Sequence, residues 1–316
     1  MKEIPLLLLA GPTAVGKTAA SIALAKALDG EIISGDSMQV FRGFDIGTAK
    51  ITPEEMEGVP HHLIDILEPA ATFSAAEFKT LADAKITEIA QRGHVPILVG
   101  GTGFYVNSVI YEYDFAQADD DPAYRQVLKD ILEEQGPEEL MRRLAAVDPQ
   151  SAARLHVNDT KRVMRALEVY HVTGQPMSAA AAGVDKHRLR YRMVYQALDL
   201  DRQQLYARID KRVEDMLAAG WLTEVEQLLA AGVPKDCQAM QGLGYRQLVA
   251  YLDGAESWER TVELIKRDTR HFAKRQLTWF RHDPHLMCVN KDGKDDADIR
   301  RELLQNICRE INLCVE

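Results

Sequence analysis

The segment best suited to chemistry is GPTAVGKT at 11–18, which matches the pattern G-x-x-x-x-G-K-[ST]. It lies between an apolar run and an Ala-rich stretch, the strand–loop–helix context that this pattern requires. In such a loop backbone N–H groups face an anion, Lys17 adds a point charge and Thr18 can ligate Mg²⁺. The pattern predicts a site for a phosphate chain, which need not be that of ATP, at Gly11, Pro12, Thr13, Ala14, Val15, Gly16, Lys17 and Thr18.

The position of the nearest acid indicates the kind of reaction. ATP-hydrolysing proteins of this type normally hold Mg²⁺ with an acid that closes a later apolar strand. Here that strand, VPILV at 95–99, runs into GGTG at 100–103 without a carboxylate, which disfavours an ATP-driven motor. Asp36 instead follows the apolar segment 31–34, and ligands bind at the carboxyl edge of open α/β sheets. The structural alternative for Asp36 is a helix N-cap.

The elements that must position these residues alternate along the chain. Strands are expected at 4–9, 31–34, 95–99 and 193–200, with helices at 19–28 and 75–92, which predicts an α/β fold with a parallel sheet flanked by helices. From 114 to 192 only helical patterns follow one another. We therefore expect a P-loop NTPase-like core made of 1–113 and 193–316, which includes several C-terminal helices, and a helical insertion domain at 114–192.

Composition narrows the class of protein. The 316 residues carry a formal net charge of −10, so a nucleic-acid surface would have to be a local basic patch. No apolar run is long enough for a membrane span, and the short apolar N-terminus suits a buried strand better than a signal peptide. The four cysteines form no CxxC pair, so neither a zinc site nor a disulfide framework is indicated. We expect a cytoplasmic protein without a membrane partner.

Basic residues cluster in three places. The first cluster is 266–281, where six Lys and Arg residues stand against one Asp, with Trp279 and Phe280 nearby for stacking. The second opens with Lys161 and Arg162, and the third covers 186–192. Each cluster alone could equally be a solvated helix face.

Several motifs together resemble one family. They are GPTAVGKT, ISGDSMQVFRGFDIGTAK (33–50), VPHHLID (59–65), ILVGGTGFYV (97–106), GYRQ (244–247) and KRQLTWFR (274–281). In this order they resemble the tRNA dimethylallyltransferases, and the resemblance covers essentially the whole chain. Gly35, Phe41, Phe104 and Gly242 depart from the residues common in that family, but none of them removes a group with catalytic chemistry.

The resemblance implies transfer of a dimethylallyl group from dimethylallyl diphosphate to the N6 amine of adenosine 37 in tRNA, just 3′ of the anticodon. It assigns Asp36 as the base that takes the amine proton and Thr102 as a substrate contact. The structural alternative for Thr102 is a hydroxyl that hydrogen-bonds the backbone of its own turn. Arg208 and Arg212 lie four residues apart on a predicted helix, and the sequence alone favours a solvent-exposed charged face for both. The resemblance instead implies that one of them contacts the diphosphate leaving group. The implied catalytic set is Asp36, Thr102, Lys17, Arg208 and Arg212, with Mg²⁺ as cofactor and Thr18 as its ligand.

The resemblance also implies a surface for the tRNA anticodon stem-loop. Gln39 would be a sensible reader of a base edge, because an amide both donates and accepts. We expect the chain to act as a monomer. The implied tRNA contacts are Asp36, Ser37, Met38, Gln39, Lys161, Arg162, Val163, Met164, Arg165, Gln241, Gly242, Leu243, Gly244, Tyr245, Arg246, Lys274, Arg275, Gln276, Leu277, Thr278, Trp279, Phe280 and Arg281.

Three other functions fit part of the pattern. A P-loop small-molecule kinase explains 11–18 and Asp36 but leaves the basic segment 266–281 without a role. A prenyltransferase acting on free AMP or ATP shares the loop and the acid, yet has less need of the helical insertion. A non-catalytic RNA-binding module is disfavoured by the intact Lys17, Thr18 and Asp36.

Overall fold

A computed structural model describes residues 2–113, 121–182, 185 and 187–313. The chain divides into two compact units. The first combines Met1–Ile110 with Leu189–Glu316, and the second is Tyr111–Arg188. The expected insertion, 114–192, differs from the second unit by a few residues at each end.

A parallel sheet organises the first unit. Its strand order is β3-β2-β4-β1-β5-β6, and every neighbouring pair is parallel. The central strand is apolar on both faces because helices cover both, and its residues 6–9 are at most 2% exposed. The predicted fold class is confirmed. The strands are β1 (Lys2–Ala10), β2 (Gly30–Ser34), β3 (His61–His62), β4 (Val95–Gly100), β5 (Tyr191–Asp199) and β6 (Leu286–Asn290).

Helices connect and flank these strands. In the first unit, the helices at 17–28, 202–218, 258–281 and 296–311 share a large apolar cluster with the strands. The helices are α1 (Lys17–Leu28), α2 (Ala75–Gln91), α3 (Gly103–Ile110), α4 (Pro122–Gln135), α5 (Pro137–Val147), α6 (Pro149–Arg154), α7 (Thr160–Thr173), α8 (Met177–Ala182), α9 (Arg202–Ala218), α10 (Trp221–Ala230), α11 (Tyr245–Leu252), α12 (Trp258–Arg281) and α13 (Asp296–Ile311). In the described ranges, none of these helices combines the length and hydropathy needed to cross a bilayer.

The second unit has a core of its own. Apolar side chains of α4, α5 and α7 form a separate buried cluster that includes Leu128, Leu140, Leu144 and Val163. The carboxylate of Glu168, 2% exposed, accepts hydrogen bonds from the guanidinium of Arg125. A charged group this deeply buried needs such a partner, so the pair fixes how α7 meets α4.

Two details differ from the expectations. Helix α1 begins at Lys17 and not at residue 19, because Gly16 adopts φ 98° and ends the loop directly at the helix. Cysteines 237 and 288 carry free thiols, as expected for reduced residues, but Cys308 is disulfide-bonded, which the spacing of the cysteines did not indicate.

One buried acid holds a loop against the helices beside the sheet. Glu224 of α10 accepts hydrogen bonds from the backbone N–H groups of Asp45 (2.9 Å), Ile46 (2.7 Å) and Gly47 (3.3 Å). It also accepts one from the hydroxyl of Tyr245 (2.7 Å), whose pKa is raised mainly by burial and further by this carboxylate. Four donors on one carboxylate make this loop a fixed wall for whatever lies beside it.

Replacing Glu224 by Gln should therefore destabilise the fold. The amide presents an NH₂ group where the carboxylate has an oxygen, so at least one donor loses its acceptor while staying buried. We expect the free energy of unfolding, measured by urea denaturation, to fall by about 2 kcal/mol. Glu226→Gln, an exposed position on the same helix, is the matched control. Equal stability of the two variants would contradict this account of Glu224.

Candidate active site

The loop at 11–18 connects the end of β1 to the start of α1. Gly11 has φ 144°, and a Cβ there would lie 2.9 Å from the carbonyl oxygen of Leu198, so a side chain has no room. The ammonium of Lys17 donates to the carbonyl oxygens of Gly11 (2.9 Å) and Pro12 (2.8 Å). The loop thus encloses the Lys17 ammonium and holds it at the carboxyl edge of the sheet.

A second loop meets the first at this edge. The turn 100–103 follows β4, the neighbour of β1, and the hydroxyl of Thr102 accepts a 3.3 Å hydrogen bond from the backbone N–H of Ser37. Since Ser37 follows Asp36 directly, Thr102 helps to hold the end of β2 in place. The structural alternative for Thr102, a hydroxyl that bonds the backbone of its own turn, is not what the described residues show, because its backbone partner Ser37 is 65 residues away.

Asp36 does not cap a helix. One carboxylate oxygen, Oδ1, accepts a 2.8 Å hydrogen bond from the backbone N–H of Met38, but a turn follows and not a helix. Within the described part of the chain, the other oxygen makes no hydrogen bond. The carboxylate is half-buried and has one oxygen available to a ligand.

A cavity of about 290 Å³ lies in front of these groups. Its polar lining combines Asp36, Thr102 and Arg212 with Thr13 of the phosphate loop. Helices α9 and α12 and the loops near Gly47 and Gly242 close it with mainly apolar groups. The remaining lining residues are Ala14, Ser37, Met38, Gly47, Thr48, Ile209, Val213, Met216, Trp221, Gly242, Leu243, Tyr245, Thr269 and Phe272.

Two cations and one carboxylate interact electrostatically here: Arg212 and Asp36, which line the cavity, and Lys17, which is not part of the lining. The pKa of Lys17 falls to about 7, first because of burial and second because of the Arg212 charge, and Asp36 opposes both effects. The pKa of Arg212 is likewise lowered by burial and raised by Asp36. An anion in the cavity would reduce the repulsion between the two cations.

The structure distinguishes the two arginines of α9. Arg212 is half-buried and lines the cavity, whereas Arg208 is exposed and is absent from its lining. Of the expected catalytic set, Asp36, Thr102, Lys17 and Arg212 come together, and Arg208 does not join them.

The expected tRNA contacts fall into three classes of exposure. Lys161, Arg162, Gln241, Arg246, Lys274, Arg275, Thr278, Trp279 and Arg281 are exposed. A second group is half-buried: Asp36, Ser37, Met38, Gln39, Met164, Arg165, Gly242, Leu243 and Leu277. A third group is buried, so its side chains support the surface and do not face it: Val163, Gly244, Tyr245, Gln276 and Phe280.

Gln39 and Gln276 use their amides inside the protein. Gln39 accepts from the hydroxyl of Ser34 (3.0 Å) and donates to backbone carbonyls of the loop at 48–49. Gln276 accepts from the backbone N–H of Thr13 (2.9 Å) and donates to the carbonyl of Gly101 (2.9 Å). In this conformation neither amide is free to read a base edge.

Most cations of the basic segment on α12 already have acidic partners. Lys266 pairs with Glu214, Arg267 with Asp268, Arg270 with Asp210 and Arg281 with Asp199. In the described ranges the exposed Lys274 and Arg275 have no ion-pair partner. These two residues therefore present the unneutralised positive charge of the segment.

The apolar cavity lining was not anticipated from the sequence. The stripe of Ile209, Val213 and Met216 reads as an ordinary core face, because apolar spacing is the same whether a helix faces a core or a cavity. Two features of the sequence do relate to this lining: Gly47 and Gly244, which the structure places beside Trp221. A Cβ on Gly47 or on Gly244 would lie about 2.0 Å or 1.9 Å from its ring, so both positions must remain glycine.

Known proteins resemble this chain along nearly all of its length. The family model described as IPP transferase matches residues 39–283. The tRNA dimethylallyltransferase of Symbiobacterium thermophilum is 53% identical, over 99% of this chain and 98% of the relative. That of Bacillus subtilis is 47% identical, over 98% of each.

Solved structures agree with these relatives. The full-length tRNA isopentenylpyrophosphate transferase from Bacillus halodurans is 44% identical, with a TM-score of 0.74 over 98% of this chain and 97% of that one. A eukaryotic dimethylallyltransferase acting on tRNA is 30% identical, with a TM-score of 0.80 over 96% of this chain and 79% of that one. The chain therefore belongs to the IPP transferase family, to which the tRNA dimethylallyltransferases belong.

Proposed function

We propose that this protein transfers a dimethylallyl group from dimethylallyl diphosphate to the N6 amine of adenosine 37 in tRNA and releases diphosphate. The observation that carries the proposal is the cavity, whose lining combines Thr13 and Ala14 of the phosphate loop, the Arg212 cation and one available carboxylate oxygen with apolar groups. The Lys17 ammonium lies close enough to interact with Arg212 and Asp36. A diphosphate ester with a five-carbon chain matches both parts of that lining. The similarity to tRNA dimethylallyltransferases supports the same reaction.

The cations and the loop act on the leaving group. As the bond between the allylic carbon and the diphosphate oxygen breaks, negative charge accumulates on the diphosphate. Lys17, Arg212 and the backbone N–H groups at the start of α1 are already in place to stabilise it. Groups held in place before the reaction need no reorganisation in the transition state, so this term should be the largest one.

Asp36 acts on the nucleophile. The lone pair of the adenine amine is delocalised into the ring, so attack on carbon is helped when a base removes a proton as the C–N bond forms. The hydrogen bond from Met38 orients the carboxylate and leaves one oxygen for that proton. The proton goes to Asp36 and the electron pair of the broken C–O bond leaves with the diphosphate.

Mg²⁺ fits the residues at the mouth of the phosphate loop. The structure's described residues contain no cluster of three His, Cys, Asp or Glu side chains that would hold a metal unaided. Mg²⁺ commonly binds substrate phosphates with few protein ligands, and the exposed Thr18 hydroxyl makes no hydrogen bond in those residues. Thr18 would hold the ion together with substrate oxygens, and the ion would offset part of the diphosphate charge.

Two surfaces are proposed for tRNA. On α12 the unpaired Lys274 and Arg275 would contact phosphates, and the exposed Trp279 offers a stacking platform. In the second unit Lys161 and Arg162 would contact the anticodon stem-loop. The target adenosine lies in a single-stranded loop and can be splayed out toward the cavity. We propose that the protein acts on tRNA as a monomer in the cytoplasm.

The direct test is mass spectrometry of nucleosides from tRNA incubated with the protein, dimethylallyl diphosphate and Mg²⁺. We expect one adenosine 3′ of the anticodon to gain one dimethylallyl group in place of one hydrogen. Asp36→Asn keeps the acceptor for Met38 N–H and should lower kcat about 10²- to 10⁴-fold, because the amide cannot take the proton. Asp29→Asn, at an exposed carboxylate, is the control.

Two outcomes of this test would reject the proposal. Prenylation of AMP or ATP with unmodified tRNA would indicate an enzyme of free nucleotides, and phosphorylation of a small acceptor from ATP would indicate a kinase. Near-normal turnover by the Asp36→Asn protein would remove the base assignment while leaving the reaction itself intact.

The two arginines of α9 provide a matched pair of variants. Arg212→Ala removes a cation from the cavity and should lower kcat/KM for dimethylallyl diphosphate about 10²- to 10³-fold. Arg208→Ala changes an exposed side chain one helical turn away and should stay within about twofold of the wild type. Steady-state kinetics at saturating tRNA measure both, and a larger loss for Arg208→Ala would reverse the assignment.

The basic segment can be tested by salt dependence. The double variant Lys274→Ala/Arg275→Ala should weaken tRNA binding and reduce the slope of log Kd against log salt by up to about one unit per lost phosphate contact. Lys266→Ala/Arg267→Ala removes the same charge from cations that are already ion-paired and should have a smaller effect. Equal slopes for the wild type and the first variant would place the docking surface elsewhere.

A further inference from the structure

Gln276 differs from its neighbours on the basic segment of α12. Lys274 and Arg275 are exposed, but the side chain of Gln276 is only 6% exposed. Its amide oxygen accepts from the backbone N–H of Thr13, and its NH₂ group donates to the backbone carbonyl of Gly101, both at 2.9 Å. One side chain of the helix thus joins two loops that are distant in sequence.

The turn after β4 is shaped to receive this helix. A Cβ on Gly101 would lie 2.2 Å from the Gln276 amide nitrogen, so only glycine leaves room for the amide. Trp279, three residues further along α12, lies against Gly103, where a Cβ would be 2.2 Å from the ring. Two side chains of one helix face therefore contact the same turn.

The loops that Gln276 joins carry the reacting groups. Thr13 belongs to the phosphate loop, and Gly101 directly precedes Thr102, whose hydroxyl accepts from the N–H of Ser37 beside Asp36. A continuous path of hydrogen bonds and covalent neighbours thus runs from the leaving-group site to the proposed base. Gln276 is the one side chain in this path that comes from α12.

We propose that Gln276 is a positioning residue that sets the phosphate loop and the Thr102 turn at a fixed distance and links both to the helix that docks tRNA. This inference rests on the proposed function. Because Gln276 occupies the N–H of Thr13 before any ligand arrives, the first turn of the phosphate loop is held in shape in advance. The diphosphate is then bound by the remaining donors of the loop.

The chemistry of an amide is required at this position. Gln276→Met preserves the volume but leaves a buried N–H and a buried carbonyl without their partner. Gln276→Glu still accepts from Thr13, but it cannot donate to Gly101, and it adds a negative charge beside the diphosphate site. Both variants should therefore disturb the loop, and Gln276→Glu should repel the anion in addition.

The experiment measures the two ligands separately. Calorimetry gives the Kd of inorganic diphosphate with Mg²⁺ and, without diphosphate, the Kd of an anticodon stem-loop RNA; kinetics give kcat and KM for dimethylallyl diphosphate. For both variants we expect the diphosphate Kd and the KM to rise at least about tenfold, while the RNA Kd stays within about twofold. Gln305→Met and Gln305→Glu are the matched controls, since this exposed glutamine lies on α13, outside the cavity and the proposed tRNA surfaces.

Other outcomes would overturn the inference. If RNA binding weakens and diphosphate binding does not change, Gln276 acts as a direct tRNA contact. If all constants are normal and only the melting temperature and the fraction of active protein fall, its role is general stability. If the wild type binds diphosphate but prenylates no tRNA, the proposed function fails, whereas weaker diphosphate binding by the variants still supports positioning of the loop.

Discussion

The site depends on the electrostatic repulsion between the positive charges of Lys17 and Arg212, two groups that are largely withdrawn from solvent. Burial lowers the pKa of both groups. The Asp36 carboxylate opposes this by favouring the charged form of each. A single carboxylate cannot fully compensate two cations in a region of low effective dielectric constant, where charges interact more strongly than in water. The cavity therefore favours a ligand with several negative charges, such as a diphosphate ester.

The sheet brings these groups together. Strands β2, β4 and β1 are neighbours and parallel, so the loops that follow them, which carry Asp36, Thr102 and Lys17, meet at one edge. Helix α9 adds Arg212 from above this edge, and α12 contacts α9 and ties the loops together through Gln276. The wall opposite is held by Glu224. The groups proposed to react are thus supported by backbone contacts of helices and strands and not by flexible side chains alone.

Sequence patterns predicted the parts of this arrangement that depend on local rules. The phosphate loop, the four long strands and the helical stretch at 114–192 follow from glycine spacing and apolar runs. Strand β3 has only two residues, both histidines, and the edge strand β6 (LMCVN) is a short apolar run with one buried position. A run this short cannot be assigned to a strand by periodicity alone. Which arginine of α9 reaches the cavity could not be predicted, because both lie on one helix face and only the packing of that helix decides.

Gln276 shows how composition can hide a periodic signal. It stands among Lys274, Arg275 and Trp279, and the family resemblance implies a tRNA contact for the whole segment. The buried residues of the same helix, Ala273, Gln276 and Phe280, lie at spacings of three and four, which is the pattern of an inward face. This spacing indicates that the Gln276 side chain faces the protein interior. Its two backbone partners could not be predicted, because they depend on the tertiary structure.

The lowered pKa of Lys17 has a consequence for how the protein exchanges ligands. Burial and the Arg212 charge favour the neutral form of the Lys17 amine, whereas a bound diphosphate favours the charged ammonium. Binding of the anion and protonation of Lys17 therefore favour each other, so through this group a higher pH weakens binding of the anion.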